Sequence, residues 1–377
     1  MKRDKNKLIG TKHILSFARK GILLFFLTCL AFFASLNGQT PKIWPTEISF
    51  NYEGGSSNDA ITIKKNASST ISAPEYIRSE SSVTKNENCA YIKSQGNRKI
   101  KVKFNSNNSN MNYLIKATVI FGTGLGNICE IFVAPCDLNS KVFTIELPVS
   151  VPSSVGKRTF TWKWEATALP INSPYCPITC TAVNTEHTYY TLLSPPQSPV
   201  VEPWTDVLDL TCIWASGKTT ESQVVAEITQ DAYAYFDQVK YYNGGGTHAA
   251  GTVFNLTLFL SQGWGDCRDM SAVVQVFTWM MGGSTTRVRQ INSTSPYSEN
   301  FSYKAIDPFG SVQSWHTGTW NFHQIGWYNN VYDACMRIKQ SDPRIAVNED
   351  VNGTYKTDLF SSGSWEPKTP FYYTTVY

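Results

Sequence analysis

A cysteine placed just behind a helix breaker is the first residue in this chain with a ready chemical use. Gly265-Asp266-Cys267 opens an apolar run that reaches Met281, where Gly282-Gly283 stops it. Asp266 is a residue type that caps helix N-termini, which sets Cys267 in the first turn. The unpaired amides and the dipole at that end favour negative charge, and the thiolate is the nucleophilic form of cysteine. Cys267 therefore reads as a nucleophile. A buried or disulfide-bonded cysteine is the rival reading, and position alone does not separate the two.

A reactive thiolate needs a base, and the base needs a group to orient it. The stretch from Trp320 to Cys335 supplies both on one hairpin, with Tyr328-Asn329-Asn330 as its turn. If the loop has three residues with an Asn in the left-handed conformation, Trp327 faces Val331 and Ile325 faces Asp333. His323 and Asp333 then share a face as diagonal neighbours within side-chain reach. A two-residue loop would put them on opposite faces. His316, His248 and His187 are worse placed: the first pairs well beyond Asp333, the second sits in a glycine-rich loop, and the third lies among the early strands.

Two kinds of pattern must position these residues. Up to about residue 195 the chain alternates with period two, as in Ile100-Val102-Phe104 and Phe160-Trp162-Trp164, the mark of half-buried strands. Many such short strands, separated by Ser/Asn/Gly clusters, predict an antiparallel, Ig-like β-sandwich over 39–195. The proline-rich segment 196–203 reads as a stiff linker. Beyond it, Thr220–Phe236 carries Val224, Val225, Ile228, Ala232 and Tyr235 at helical spacing, and strands follow at Thr286–Asn292, Trp320–Trp327 and Val331–Ile338. Helices followed by strands predict an α+β domain over 204–377.

The N-terminus reads as a secretory leader over 1–38: a basic segment, an apolar run from Gly21 to Ala34, then small polar residues. That run is shorter than the roughly 20 residues that span a bilayer, so no stable membrane span is expected after cleavage. Seven Lys/Arg against one Asp give the leader a net +6, which leaves about −2 of the whole chain's +4 for the remainder. With no basic stripe left, nucleic acid is not an expected partner. Eight cysteines follow the leader: Cys89, Cys129, Cys136, Cys176, Cys180, Cys212, Cys267 and Cys335. In an oxidising compartment most should form disulfides. Their spacing argues against structural zinc, so no metal is expected.

The residues Gly265-Asp-Cys-Arg-Asp-Met-Ser, Met281-Gly-Gly and Thr286-Arg-Val-Arg, followed in order by His323, Trp327 and Asp333, resemble the bacterial transglutaminase-like core over roughly 203–340. The resemblance implies a papain-like α+β fold and acyl transfer at amides through a Cys267–His323–Asp333 triad. The His323-to-Asp333 spacing is shorter than is usual in that family, implying a clipped hairpin. Gln262 lies close to where papain-like enzymes carry a glutamine. With the Trp264 indole and the Cys267 amide, it is a candidate donor to an oxyanion or substrate. The expectation is an exported bacterial enzyme, secreted, periplasmic or on the cell surface. It would act on a protein or peptide as protease, amidase or cross-linking enzyme, and no cofactor is implied. The alternative from another class is a non-catalytic protein that binds a surface, glycan or protein on a retained transglutaminase-like scaffold.

Overall fold

The computed structural model describes residues 40–54, 58–172, 177–238, 240–241, 247–292, 301–311, 318–320, 322–338, 344–362, 365–367 and 372–377. The expected leader, Cys176, His316 and residues 242–246 of the glycine-rich loop lie outside them.

The first half is built from β-strands, as its alternation requires. Gly156–Pro170 runs for 15 residues with Phe160, Trp162, Trp164, Ala166 and Ala168 turned inward. It pairs antiparallel with Met111–Gly122 on one side and Val183–Leu192 on the other. Ile128–Val133 and Cys89–Ile92 complete that sheet at its edges. A second sheet orders Phe143–Glu146, Lys99–Ser106, Ile43–Ser49, Tyr76–Arg78 and Val83–Asn86. The two sheets share a core in which Phe104 meets Trp164 edge-on, with ring centroids 5.6 Å apart. Among the described strands of these two sheets, the pairing departs from antiparallel at Cys89–Ile92. Cys89–Ile92 runs parallel to Val183–Leu192, because it crosses from the other sheet and meets a partner nearly a hundred residues on, free of any hairpin constraint.

A second core gathers helices Thr205–Trp214, Glu221–Phe236, Leu256–Ser261 and Cys267–Met280 with an antiparallel sheet. That sheet orders Ile306–Pro308, Asn330–Ile338, His323–Tyr328, Thr286–Asn292 and Trp365–Pro367, with Arg344–Glu349 added beside Asn330–Ile338. Residues of the first half, among them Ile63, Ala90, Tyr190 and Leu192, also pack into this second core. The proline-rich segment is docked rather than free. The Leu193 and Ser194 amides donate to the Met281 carbonyl, and the Gln197 amide donates to that of Trp279. Gly282 makes this close approach possible. It has φ +88°, and a Cβ there would stand 2.0 Å from the Ser194 carbonyl oxygen.

Helix Cys267–Met280 is the centre of the second core, and every residue from Asp269 to Met280 is buried. A helix apolar on all sides belongs in an interior. It lies across the His323 and Asp333 strands, where Gly326 lets the two come together: a Cβ there would sit 2.6 Å from Val274 Cγ1.

The expected disulfides do not form among the described residues. Cys89, Cys129, Cys136, Cys180, Cys212, Cys267 and Cys335 are free thiols. Cys89 and Cys180 are buried in the first core, Cys212 and Cys335 in the second, and burial pushes all four thiols up. They fill space as small apolar side chains. No helix among the described residues is long and apolar enough to cross a membrane.

Candidate active site

Asp266 caps the helix as its residue type requires. Its carboxylate accepts from the Arg268 and Asp269 amides at 2.8 and 3.4 Å, while Asp269 accepts from the Asp266 amide at 3.0 Å. The result is a capping box made of two acids. Arg268 folds back to set its guanidinium on Asp266, with Nε 2.9 Å from Oδ2, and rests 5.9 Å from the Phe322 ring centre. Asp269 is a structural tie. Its other oxygen accepts from the Thr247 hydroxyl and from the His248 and Ala249 amides at 2.8–2.9 Å, fastening 247–249 to the first helical turn. Burial and the neighbouring Asp266 charge push the Asp269 carboxyl up to about 7, against the pull of those donors.

Cys267 is the first residue of the helix and is 7% exposed. The Gln324 backbone lies beside the sulfur and favours its charged form. The sequence expects a thiol lowered by the helix end; the structure shows one pushed up. Burial is the main cause and the Asp266 carboxylate the second, with the Gln324 amide and Arg268 only partly opposing them. The cap that starts the helix also takes up its first amides and brings a negative charge beside the sulfur. A thiolate here therefore needs a cationic partner.

His323 begins the strand His323–Tyr328, and Asp333 lies on Asn330–Ile338. Asn329 takes φ +61° at the turn between them, and Trp327 faces Val331, the three-residue-loop register described above. Extended by two residues, that register sets His323 and Asp333 diagonally on one face. Their side chains meet: His323 Nε2 is 2.9 Å from Asp333 Oδ2, with both residues 1% exposed. Asp333 Oδ1 accepts from the Cys335 amide at 2.9 Å, and Oδ2 also accepts from the Tyr355 hydroxyl at 2.8 Å. The imidazole is covered by Trp320, stacked at 4.9 Å and 20°, and Trp320 is covered in turn by Tyr303 at 4.3 Å.

Gln262 ends helix Leu256–Ser261 as its C-cap and is half-buried, with Oε1 enclosed and lacking a hydrogen-bond partner. Trp264 is half-buried three residues before Cys267, and its ring lies tilted against that of His248, with centroids 4.1 Å apart. Burial lowers the pKa of His248, against the opposing effect of the Trp264 backbone and the Asp266 charge.

Two contributors escaped the sequence. Gln324 acts on the thiol through its backbone, which no side-chain pattern reveals. Its side-chain amide donates to Ser271 Oγ at 2.7 Å and so ties the strand to the helix. Tyr355 comes 22 residues after Asp333 on a short helix, Thr354–Leu359, and nothing at that sequence distance marks it.

No family model matches the chain, and no curated protein matches it. Among solved structures, the crystal structure of red sea bream transglutaminase is similar over 64% of this chain and 46% of its own. The identity is 12% and the TM-score 0.31. The chain thus spans less than half of that protein's length, and likeness at this level leaves the functional reading to the residues themselves.

Proposed function

We propose that the chain is an exported, cysteine-dependent acyl-transfer enzyme of the transglutaminase-like kind, with Cys267 as nucleophile, His323 as base and Asp333 as orienter. The observation that carries this is the His323–Asp333 pair, 2.9 Å apart and buried on two adjacent strands packed against the helix that Cys267 begins. Burying such a pair costs several kcal/mol of desolvation, and apolar residues of similar size commonly stabilise a core as well or better. A scaffold has no need of it; a thiol enzyme does.

Asp333 holds Nε2, which leaves Nδ1 of His323 to take the Cys267 proton. The imidazolium then supplies the positive charge that the buried sulfur lacks, and the Gln324 amide steadies the thiolate. Attack on a carboxamide or peptide carbonyl of a protein or peptide gives a tetrahedral oxyanion. The Cys267 amide, unpaired by its place in the helix, is one donor to it, and Gln262 and the Trp264 indole are the candidates for a second. His323 returns its proton to the departing amine, leaving a thioester. Water resolves the thioester in a protease or amidase, and an amine resolves it in a cross-linking enzyme.

The rival reading is a binding protein on the same scaffold, and it draws on the burial of the Cys267 thiol. Iodoacetamide labelling of the native protein, followed by peptide mass spectrometry, separates the two. On the enzyme reading Cys267 is labelled ahead of Cys212 and Cys335 near neutral pH, and His323→Ala slows that labelling roughly tenfold or more, as the thiolate fraction falls with the loss of its cation. Labelling no faster than a model thiol, with no effect of His323→Ala, would replace the enzyme reading by the rival.

A further inference from the structure

We propose that Tyr355 is a positioning residue of this site, setting through Asp333 the proton affinity of His323. The inference rests on the enzyme reading above.

Asp333 is a buried carboxylate with two donors on one oxygen: His323 Nε2 at 2.9 Å and the Tyr355 hydroxyl at 2.8 Å. Those two donors compete for the same negative charge. Each increment drawn toward the phenol weakens the hold of Asp333 on an imidazolium. His323 must gain a proton from Cys267 and then give it up to the leaving amine, so an imidazolium held too firmly would stall the second step.

Tyr355 is built for a fixed role. It is fully buried, and burial together with the adjacent Asp333 charge pushes its phenol well above the ordinary range, so it remains a donor throughout the working pH. Its helix is clamped. Arg344 pairs with Glu349 at the other end of its own strand at 2.9 Å and with Asp358 of the Tyr355 helix at 2.5 Å. The Lys304 amide donates to the Leu359 carbonyl at the far end of that helix. The other titratable groups around Asp333 and Cys267 are Asp266, Asp269, Tyr241, Cys335 and Glu349. Burial pushes Tyr241 and Cys335 up and so keeps them uncharged near neutral pH; Asp266 is paired with Arg268 and Glu349 with Arg344. Tyr355 is the phenol in direct hydrogen-bond contact with the orienting oxygen.

The test is the pH profile of Cys267 alkylation. In the wild type the rate rises as the thiolate–imidazolium pair forms and changes again at higher pH as the imidazolium deprotonates. In Tyr355→Phe that upper limb should move up by roughly one pH unit, because Asp333 gives its whole charge to His323. Site-specific 3-fluorotyrosine at 355 is a stronger donor and should move the limb down, a change of sign that loss of packing does not produce. A wild-type profile with no limb that His323→Ala abolishes removes the enzyme reading itself. A wild-type limb that neither Tyr355 change moves leaves the enzyme reading standing and overturns the role given to Tyr355.

Discussion

Gly326→Ala tests the helix–strand spacing on which the proposed site would depend. Gly326 follows His323 by three residues, and Val274 lies about two turns beyond Cys267. The position does not require a positive φ, so only space is at issue. An added Cβ would stand 2.6 Å from Val274 Cγ1, 3.1 Å from Val274 Cβ and 3.0 Å from the Tyr332 carbonyl oxygen. Carbon atoms pack at about 3.5–4.0 Å, so the helix must withdraw from the strand by about 1 Å. Overpacking of that kind costs about 1–3 kcal/mol. A displacement of about 1 Å between reacting groups can lower a rate about a hundredfold. Urea unfolding gives the first quantity and Cys267 alkylation near neutral pH the second. Val274→Ala supplies the control. It removes the nearest clash but leaves the contacts at 3.0 and 3.1 Å, so the double variant should recover about 1 kcal/mol relative to the sum of the singles. Additive stabilities, or a Gly326→Ala protein alkylated at the wild-type rate, would show that the helix–strand spacing does not hold Cys267 to His323.

Two further outcomes follow from the first core. His187 is enclosed by the rings of Phe50, Tyr76, Phe160 and Trp162, and burial draws its pKa from the usual 6.5 to about 3. A histidine kept neutral by folding stabilises the protein above its unfolded pKa. Stability should therefore fall by about 1.4 kcal/mol per pH unit from roughly pH 6 toward 3, and His187→Phe should flatten that slope in acid titrations followed by tryptophan fluorescence. Trp162 is fully buried and donates to the Gly126 carbonyl at 2.9 Å; Trp162→Ala should cost about 3–5 kcal/mol in chemical denaturation, and a loss under 1 kcal/mol would contradict its place in the core.

What was legible in the sequence divides along physical lines. Period-two runs gave the strands, because one face of each meets a core and the other meets water. Gly265-Asp266 and Gly282 gave the ends of the Cys267 helix, because capping is local chemistry. The hairpin was legible, but its register only as a condition, a three-residue loop with a left-handed Asn, which Asn329 at φ +61° and the Trp327–Val331 pair meet. The parallel strand Cys89–Ile92, the docked proline segment and Tyr355 were not legible, since each depends on residues meeting across tens of positions. The free cysteines were misread for a related reason. Spacing in the chain says nothing about whether two thiols share a neighbourhood or are buried separately.

The contrast between the cap and the thiol states what this site requires. Reading Asp266 as a helix cap was sound, yet the inference drawn from it, a lowered thiol, ran the wrong way. A cap is a carboxylate, and once it has accepted the first amides it contributes its own charge within reach of the sulfur. Burial adds to that charge, so neither the helix end nor the single Gln324 amide suffices to hold a thiolate. On the proposed reading the compensation is a proton moved onto His323, whose Nε2 lies 2.9 Å from the buried carboxylate of Asp333. On that reading, reactivity at Cys267 is a property of the pair and not of the cysteine. It should be lost with His323 although Asp266, Arg268 and the helix remain, which is the dependence that separates a working thiol site from a buried cysteine at a well-capped helix.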